Sequence, residues 1–143
     1  MKIETERLQL DLRHGTETIL LVDDEESLRA VVTHFLSQEL GYNLLSVGSA
    51  EEALDLVESY SGHIDLLLTD ILLPGMSGPE LARKMGSSHP EIRIMYISGY
   101  ADQNLESYGV SASDIMQKPF TIKTLSAKLR EILDKDDEES GDQ

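Results

Sequence analysis

The sequence predicts an α/β domain in which helices cover both faces of a five-stranded parallel sheet. Short apolar runs, each of the length of a buried strand, recur along the chain between turn residues. Segments with apolar residues at helical spacing separate these runs, and such alternation is typical of a parallel sheet with right-handed crossovers. Four runs are followed by an acidic, hydroxyl or basic side chain, at the edge of the sheet where ligands bind in this architecture.

The composition limits the kind of protein. With 143 residues, 40% of them hydrophobic and 5% aromatic, the chain suffices for one domain with an aliphatic core. It has no cysteine, which excludes disulfides and thiolate metal sites. The formal net charge of −15 disfavours nucleic acid as a partner. Since no apolar run could span a bilayer and the N-terminus lacks a signal-peptide pattern, we expect a cytoplasmic protein without direct membrane contact.

Ten elements are predicted from the apolar period of each segment. In chain order they are strand 19–22, helix 28–40, strand 43–47, helix 50–60, strand 66–69, helix 79–85, strand 92–97, helix 102–109, strand 115–117 and helix 122–133. Gly41 ends the first helix, a capping box of Ser49 and Glu52 opens the second, and Thr121 caps the last.

One domain is therefore expected over residues 18–134. Residues 1–17 are expected to be an N-terminal arm or linker, in which Leu8, Leu10 and Leu12 alternate with polar residues as in a short strand. Residues 135–143 are a charge run and are expected to be an acidic disordered tail.

The order of the strands decides which side chains meet. A doubly wound sheet of this size is expected to have the flavodoxin-like order 2-1-3-4-5, with its switch point between strands one and three. Asp23 and Asp24 follow strand one, and Asp70 follows strand three. The predicted fold therefore brings three carboxylates together.

The groups at these strand ends suit a phosphoryl-accepting site. Crowded carboxylates resist ionisation unless a cation compensates, and a site with only oxygen donors suits Mg²⁺. Lys118, after strand five, supplies a positive charge, and Ser98, after strand four, supplies a hydroxyl. Asp70 is then the in-line nucleophile, while the metal and Lys118 neutralise the transferring oxygens. Taken singly, each residue could instead cap a helix, form a turn or lie on the surface.

Four motifs occur in order: Leu20-Leu21-Val22-Asp23-Asp24-Glu25, Asp70-Ile71-Leu72-Leu73-Pro74-Gly75-Met76-Ser77-Gly78, Ile97-Ser98-Gly99-Tyr100 and Lys118-Pro119-Phe120. With these motifs, residues 18–134 resemble the receiver domain of two-component response regulators (CheY-like), most of all the receivers of hybrid sensor histidine kinases. The resemblance implies that Asp70 is phosphorylated from a histidine-bound phosphoryl group on a histidine kinase or phosphotransfer protein.

The resemblance also implies a role for each site residue. Asp24, Asp70 and the carbonyl of Leu72 would bind Mg²⁺ directly, and Asp23 would assist through water. Ser98 and Lys118 would contact the phosphoryl oxygens, and the Lys118–Pro119 bond would be cis. Such a chain catalyses its own phosphorylation and dephosphorylation without being an independent turnover enzyme.

Three residues depart from the family's usual pattern. Ile115 stands where the family usually carries a Tyr or Phe that rotates on activation, which leaves open how activation proceeds here. Ser98 replaces the commoner Thr and keeps the hydroxyl, and Leu73 replaces a common Met.

Other functions compatible with this fold fit the residues less well. An aspartyl phosphatase or dehalogenase usually carries a second acid at the position of Leu72. An FMN module would need a Ser/Thr/Gly-rich loop after strand one, where the acids at 23–26 would repel phosphate. A phosphotransfer protein needs an accepting histidine, and no matching context surrounds His14, His34, His63 or His89. A receiver that acts only as an interaction module is the remaining alternative, although all acidic and basic site residues are present.

The sequence leaves open whether this domain is a protein by itself or part of a longer one. The domain could be a free-standing receiver or part of a hybrid protein, whose parent would be a histidine kinase. We expect no output domain after residue 134 and therefore no nucleic-acid binding, and we expect a monomer or weak dimer.

Overall fold

The computed structural model describes residues 14–99 and 109–135, in which five strands form one parallel sheet. The strands are β1 (Thr18–Val22), β2 (Asn43–Val47), β3 (Leu66–Asp70), β4 (Arg93–Ser98) and β5 (Ile115–Gln117). The helices are α1 (Glu26–His34), α2 (Ala50–Ser59), α3 (Gly78–Ser88) and α4 (Ile122–Leu133). The strand order is β2-β1-β3-β4-β5, which confirms the predicted topology.

The register aligns the carboxyl ends of the central strands. Val22 of β1 pairs with Thr69 of β3, so the residues that follow them, Asp23 and Asp70, leave the sheet at the same level. Asp70 in turn pairs with Ile97 of β4. The crevice at the switch point therefore opens beside the acidic side chains.

The sheet is covered on both faces because its strands are apolar on both faces. Ile19 and Leu21 of β1 belong to one buried cluster, with residues of α1 and α4. Leu20 and Val22 belong to the other, with residues of α2 and α3. All four side chains are at most 1% exposed, which explains why β1 is an uninterrupted apolar run.

The first helix does not stay regular to residue 40, so that prediction is corrected. It is α-helical to His34 and continues as a π-helical turn over Phe35–Glu39, with the Leu40 N–H donating to the Phe35 carbonyl at 3.1 Å. Leu36 and Leu40 are nevertheless fully buried. The apolar pattern indicates which side chains face the core, and it does not distinguish an i→i+4 from an i→i+5 hydrogen bond.

Helix α3 is longer than the predicted 79–85. It begins at Gly78, with Ser77 as N-cap accepting from the Glu80 N–H, and it ends at Ser88. Its last turn contains residues with weak helix propensity. Two of them, Ser87 and Ser88, donate their hydroxyls to carbonyls of the preceding turn, which supports the extension.

Several predictions fall outside the described residues. These are the alternation of Leu8, Leu10 and Leu12, the helix at 102–109 apart from its last residue, and the tail at 136–143. Within the described ranges, none of the helices has the length and apolar character needed to cross a membrane.

A partly buried ion cluster ties the segment before β1 to the last helix. Arg130 of α4 donates to both carboxylate oxygens of Glu17 at 2.8 Å and to Asp134 Oδ1 at 2.6 Å. The Tyr42 hydroxyl accepts a longer hydrogen bond of 3.4 Å from the same guanidinium. Hydrogen bonding to Arg130 lowers the pKa of Glu17. The chain that enters β1 is thereby fixed to the end of α4.

Candidate functional site

Three carboxylates meet at the carboxyl edge of the sheet. Asp23 and Asp24 follow β1 and Asp70 ends β3, and one oxygen of each lies within 4.8 Å of the others. Asp23 is buried, Asp70 half-buried and Asp24 exposed. The cluster therefore extends from the protein interior to solvent.

Asp23 has one satisfied and one unsatisfied carboxylate oxygen. Its Oδ1 accepts a hydrogen bond from the Glu25 N–H at 2.8 Å, while its Oδ2 is buried without a hydrogen-bond partner. Burial raises the pKa of the Asp23 carboxyl, and the Glu25 N–H and the charge of Lys118 partly oppose this effect. An orphaned buried carboxylate oxygen is costly, so this atom is suited to accept a hydrogen bond from a water bound to a cation at the cluster.

Asp70 lies between a backbone donor and a cation. Its Oδ1 accepts from the Leu72 N–H at 3.3 Å, and its Oδ2 is 3.6 Å from Lys118 Nζ. Burial raises the pKa of the Asp70 carboxyl and the nearby Asp23 adds to the increase, while Lys118 lowers it. The carboxylate is thus partly desolvated and has a positive charge beside it.

Strands β4 and β5 bring Ser98 and Lys118 to the same edge. The Lys118 N–H donates to the Ser98 carbonyl at 2.8 Å, and the Lys118–Pro119 peptide bond is cis, as expected. Besides Asp70, Lys118 Nζ is 4.0 Å from Glu25 Oε1. Ser98 is fully buried, and its hydroxyl donates to the Gly99 carbonyl at 3.1 Å.

The loop after Asp70 packs directly against the backbone of that residue through Gly78. The Gly78 N–H donates to the Ile71 carbonyl at 2.8 Å, and a Cβ at Gly78 would collide with the Asp70 carbonyl oxygen. Glycine is therefore required by the close approach of the two backbone segments. This contact fixes the start of α3 relative to Asp70.

The donor set fits a hard divalent cation. All candidate ligand atoms are oxygens, one of them is buried and unpartnered, and the acidic side chains outnumber the one lysine beside them. Mg²⁺ prefers this chemistry and is usually held by one or two carboxylates. Three clustered acids with a lysine can also receive a phosphoryl group, because cations neutralise its oxygens.

Comparison with known proteins decides the family. A family model described as "Response regulator receiver domain" matches residues 19–130, which is most of the chain. The chain belongs to the response regulator receiver family. The expected family and fold are thereby confirmed.

The relatives of this receiver include domains of sensor kinases. It is 35% identical over 127 residues to "Sensor kinase CckA" of Brucella abortus, a match that covers 86% of this chain and 13% of that protein. The solved "receiver domain from Hybrid Histidine Kinase CckA" is 36% identical, with a TM-score of 0.67 and coverage of 81% and 98%. A "response regulator receiver protein" from Sinorhizobium medicae WSM419 is 33% identical, with a TM-score of 0.73 and coverage of 84% and 96%. The receiver thus corresponds to a small part of the curated sensor kinase.

The structure places the residues predicted for the site at one edge of the receiver. They are Asp23, Asp24, Asp70, Leu72, Ser98 and Lys118. Ile115, the departure from the usual aromatic, is half-buried and pairs with Tyr96 of β4, which is 7% exposed.

Two residues that support the site were not predicted from the sequence. Glu25 supplies the N–H that holds Asp23, and Gly78 allows the loop to approach Asp70. Both residues lie within the motifs that carry the resemblance, so the sequence indicates that they are near the site but does not indicate their contacts.

A groove on the α1 face of the receiver adjoins Lys118. Its volume is about 700 Å³. Most of its lining is apolar and comes from α1, the π-helical turn that follows it, the segment after β5 and the start of α4: Leu28, Val31, Val32, Phe35, Pro119, Phe120 and Ile122. Glu25 and Lys118 also line it, and Val31 is 51% exposed. The groove is therefore continuous with the cation that contacts Asp70.

Proposed function

We propose that Asp70 accepts a phosphoryl group from the phosphohistidine of a histidine kinase or histidine phosphotransfer protein, with Mg²⁺ bound at the acidic cluster. The observation that carries the proposal is the half-buried Asp70 carboxylate, which has Lys118 Nζ at 3.6 Å and two further acids clustered with it. The phosphorylated receiver then presents a changed surface to its output partner.

The receiver's own side chains account for the transfer. An Asp70 oxygen attacks phosphorus as the phosphorus–nitrogen bond of the donor breaks, and the electron pair of that bond stays on the imidazole. The Leu72 N–H orients the carboxylate, and Lys118 faces the negative charge of the product. The Ser98 hydroxyl, which donates to the Gly99 carbonyl in this structure, would rotate to donate to a phosphoryl oxygen.

The proposed metal is held by the acidic edge of the same site. Asp24, Asp70 and the Leu72 carbonyl would hold Mg²⁺, with Asp23 acting through water. Bound there, the ion neutralises phosphoryl oxygens.

The direct test is transfer from a labelled donor. Incubation with a phosphorylated histidine kinase domain and Mg²⁺ is expected to give a label that is stable in acid and labile in base, as for an acyl phosphate. Chelation of Mg²⁺ should prevent labelling. A receiver that binds the donor without ever becoming labelled would be an interaction module and would contradict the proposal.

The groove beside Lys118 is proposed as the surface that receives the donor protein. A protein that delivers phosphohistidine to Asp70 must contact the receiver next to Lys118, and the apolar groove begins there. Replacing Val31 with Glu should lower the rate of transfer from a donor protein about tenfold or more, because a charge would enter an apolar contact. Phosphorylation by acetyl phosphate, which needs no protein contact, should be unchanged.

The control for Val31→Glu is Glu58→Gln, an exposed change on α2 away from the groove, which should leave the transfer rates from both donors unchanged. Equal losses with the protein donor and with acetyl phosphate would show that Val31→Glu damages the site itself and would argue against docking in the groove.

The acidic cluster should make stability depend on Mg²⁺ and pH. Because the pKa values of Asp23 and Asp70 are raised on folding, the folded state binds more protons. Without metal, the two raised pKa values contribute fully to the free energy of unfolding below a pH of about 4, near the pKa of aspartate in the unfolded chain. This contribution is lost as pH rises through the raised pKa values of the folded state. Mg²⁺ should restore stability at neutral pH.

Asp24→Asn should weaken Mg²⁺ binding sharply, as calorimetry would show; an unchanged affinity would contradict the assignment of Asp24.

A further inference from the structure

A side chain of α1 reaches back to the acidic turn. Arg29 Nη1 donates a hydrogen bond to the carbonyl oxygen of Asp23 at 2.7 Å. The Arg29 N–H also bonds to the Glu25 carbonyl at 3.0 Å. Arg29 therefore closes the turn between β1 and α1 from the helix side.

The same guanidinium lies against the neighbouring loop. A Cβ at Gly48, just after β2, would be 3.0 Å from Arg29 Nη1 and 3.6 Å from its Cζ. The Gly48 N–H is held by Glu52 Oε2 at 2.9 Å, which anchors this loop to α2. Arg29 is thus packed between two loops at the carboxyl edge of the sheet, and its position is constrained on both sides.

The contact of Arg29 is with the backbone and not with the carboxylate. The cation that lowers the pKa of the Asp23 carboxyl is Lys118. Arg29 instead fixes the peptide group from which the Asp23 side chain projects, while the Glu25 N–H fixes Oδ1. Together they hold the Asp23 carboxylate with its Oδ2 buried and without a hydrogen-bond partner, in a residue that belongs to the acidic cluster.

We infer that Arg29 is a positioning residue for Mg²⁺: it holds the Asp23–Asp24 turn in the geometry that binds the cation. This inference rests on the proposed function and assigns a role in the same site. A charge-assisted hydrogen bond to a carbonyl is stronger than a neutral one, so it can hold the turn against the repulsion among the carboxylates. Outer groups that orient metal ligands typically change affinity about 10- to 100-fold when removed.

The sign of the effect separates positioning from simple charge. If Arg29 acted only as a nearby positive charge, its removal would strengthen the binding of a cation. If it positions the turn, its removal must weaken binding. Arg29→Gln is therefore expected to raise the Mg²⁺ dissociation constant about tenfold. The phosphorylation rate with acetyl phosphate at saturating Mg²⁺ should stay within about twofold, because Arg29 does not touch the reacting atoms.

The experiment measures Mg²⁺ affinity by calorimetry, and amide hydrogen exchange at Asp23 and Glu25 in metal-free protein. Arg29→Gln should speed exchange at both amides and weaken Mg²⁺ binding. Arg29→Lys should restore part of the affinity, since an ammonium can donate to the carbonyl. Arg83→Gln, an exposed arginine on α3, is the control and should change neither quantity.

A second variant tests the contact from the other side. Gly48→Ala keeps the Arg29 side chain but requires its guanidinium to shift by a few tenths of an ångström, so it should weaken Mg²⁺ binding in the same direction and by a smaller factor than Arg29→Gln. Gly48→Ala decides the matter if Arg29→Gln fails to fold. Unchanged or stronger Mg²⁺ binding in a folded variant would overturn the positioning role. A loss of the phosphorylation rate at saturating Mg²⁺ as large as the loss of Mg²⁺ affinity would overturn it as well. Failure of the wild type itself to bind Mg²⁺ would instead contradict the proposed function.

Discussion

Asp70→Asn is expected to abolish the base-labile label completely. The amide lacks the anionic oxygen that attacks phosphorus, and the neighbouring acids cannot replace it, because Asp23 is buried and Asp24 is not the residue beside Lys118. The same variant should unfold at higher denaturant concentration without Mg²⁺. Removal of a half-buried charge whose pKa is raised by burial should increase the free energy of unfolding.

The control is Asp55→Asn on the exposed side of α2, which should retain full labelling and unchanged stability. Mass spectrometry of the intact protein and of peptides measures the label, and urea unfolding measures stability. Full labelling of Asp70→Asn would show that another residue accepts the phosphoryl group. A loss of stability would instead mean that the carboxylate contributes more through Lys118 than it costs through burial.

Gly78→Ala should destabilise the receiver by about 2–4 kcal/mol, a large effect for one methyl group. The added Cβ would collide with the Asp70 carbonyl oxygen, which is backbone and cannot rotate away. The loop can accept the methyl only by moving the start of α3 away from β3, which also breaks the bond from Gly78 N–H to the Ile71 carbonyl. Labelling of Asp70 should slow as well, since that loop carries Leu72.

Helix α3 supplies a matched control for this prediction. A Cβ at Gly86 meets nothing within 4 Å, so Gly86→Ala should stabilise the receiver by about 0.5–1 kcal/mol through helix propensity. Both variants add one methyl group to the same helix, and urea unfolding should give opposite signs. Equal changes in the free energy of unfolding would show that the close contact between Gly78 and the Asp70 carbonyl does not determine the effect of Gly78→Ala.

The positions of the site residues were predictable because they depend on topology. Apolar runs on β1 and β3 indicated buried parallel strands, and parallel strands deliver the residues after them to one edge. Asp23 and Asp70 could therefore be paired from residues that are far apart in the chain. The observed register then places them at the same level, because Val22 pairs with Thr69.

The supporting contacts could not be predicted, because they depend on side-chain reach and backbone geometry. Nothing in the pattern of α1 shows that Arg29 folds back to a carbonyl six residues earlier. The π-helical turn at Phe35–Glu39 preserves the apolar period, so that period carries no sign of it. Gly78 could be recognised as a loop residue, but its collision partner, the Asp70 carbonyl, becomes visible only when both segments are placed.

The ion cluster around Arg130 has a consequence for the reach of an attached donor. Glu17 precedes β1, and Asp134 follows α4, so the cluster lies at the amino edge of the sheet, opposite Asp70. A five-residue strand is about 17 Å long. A phosphohistidine domain attached to either end of the receiver must therefore reach Asp70 from the opposite edge of the sheet, with its linker and its own body together spanning at least that distance. At about 3.4 Å per extended residue, a linker of about five residues spans it alone, and with a shorter linker the body of the attached domain must span the rest.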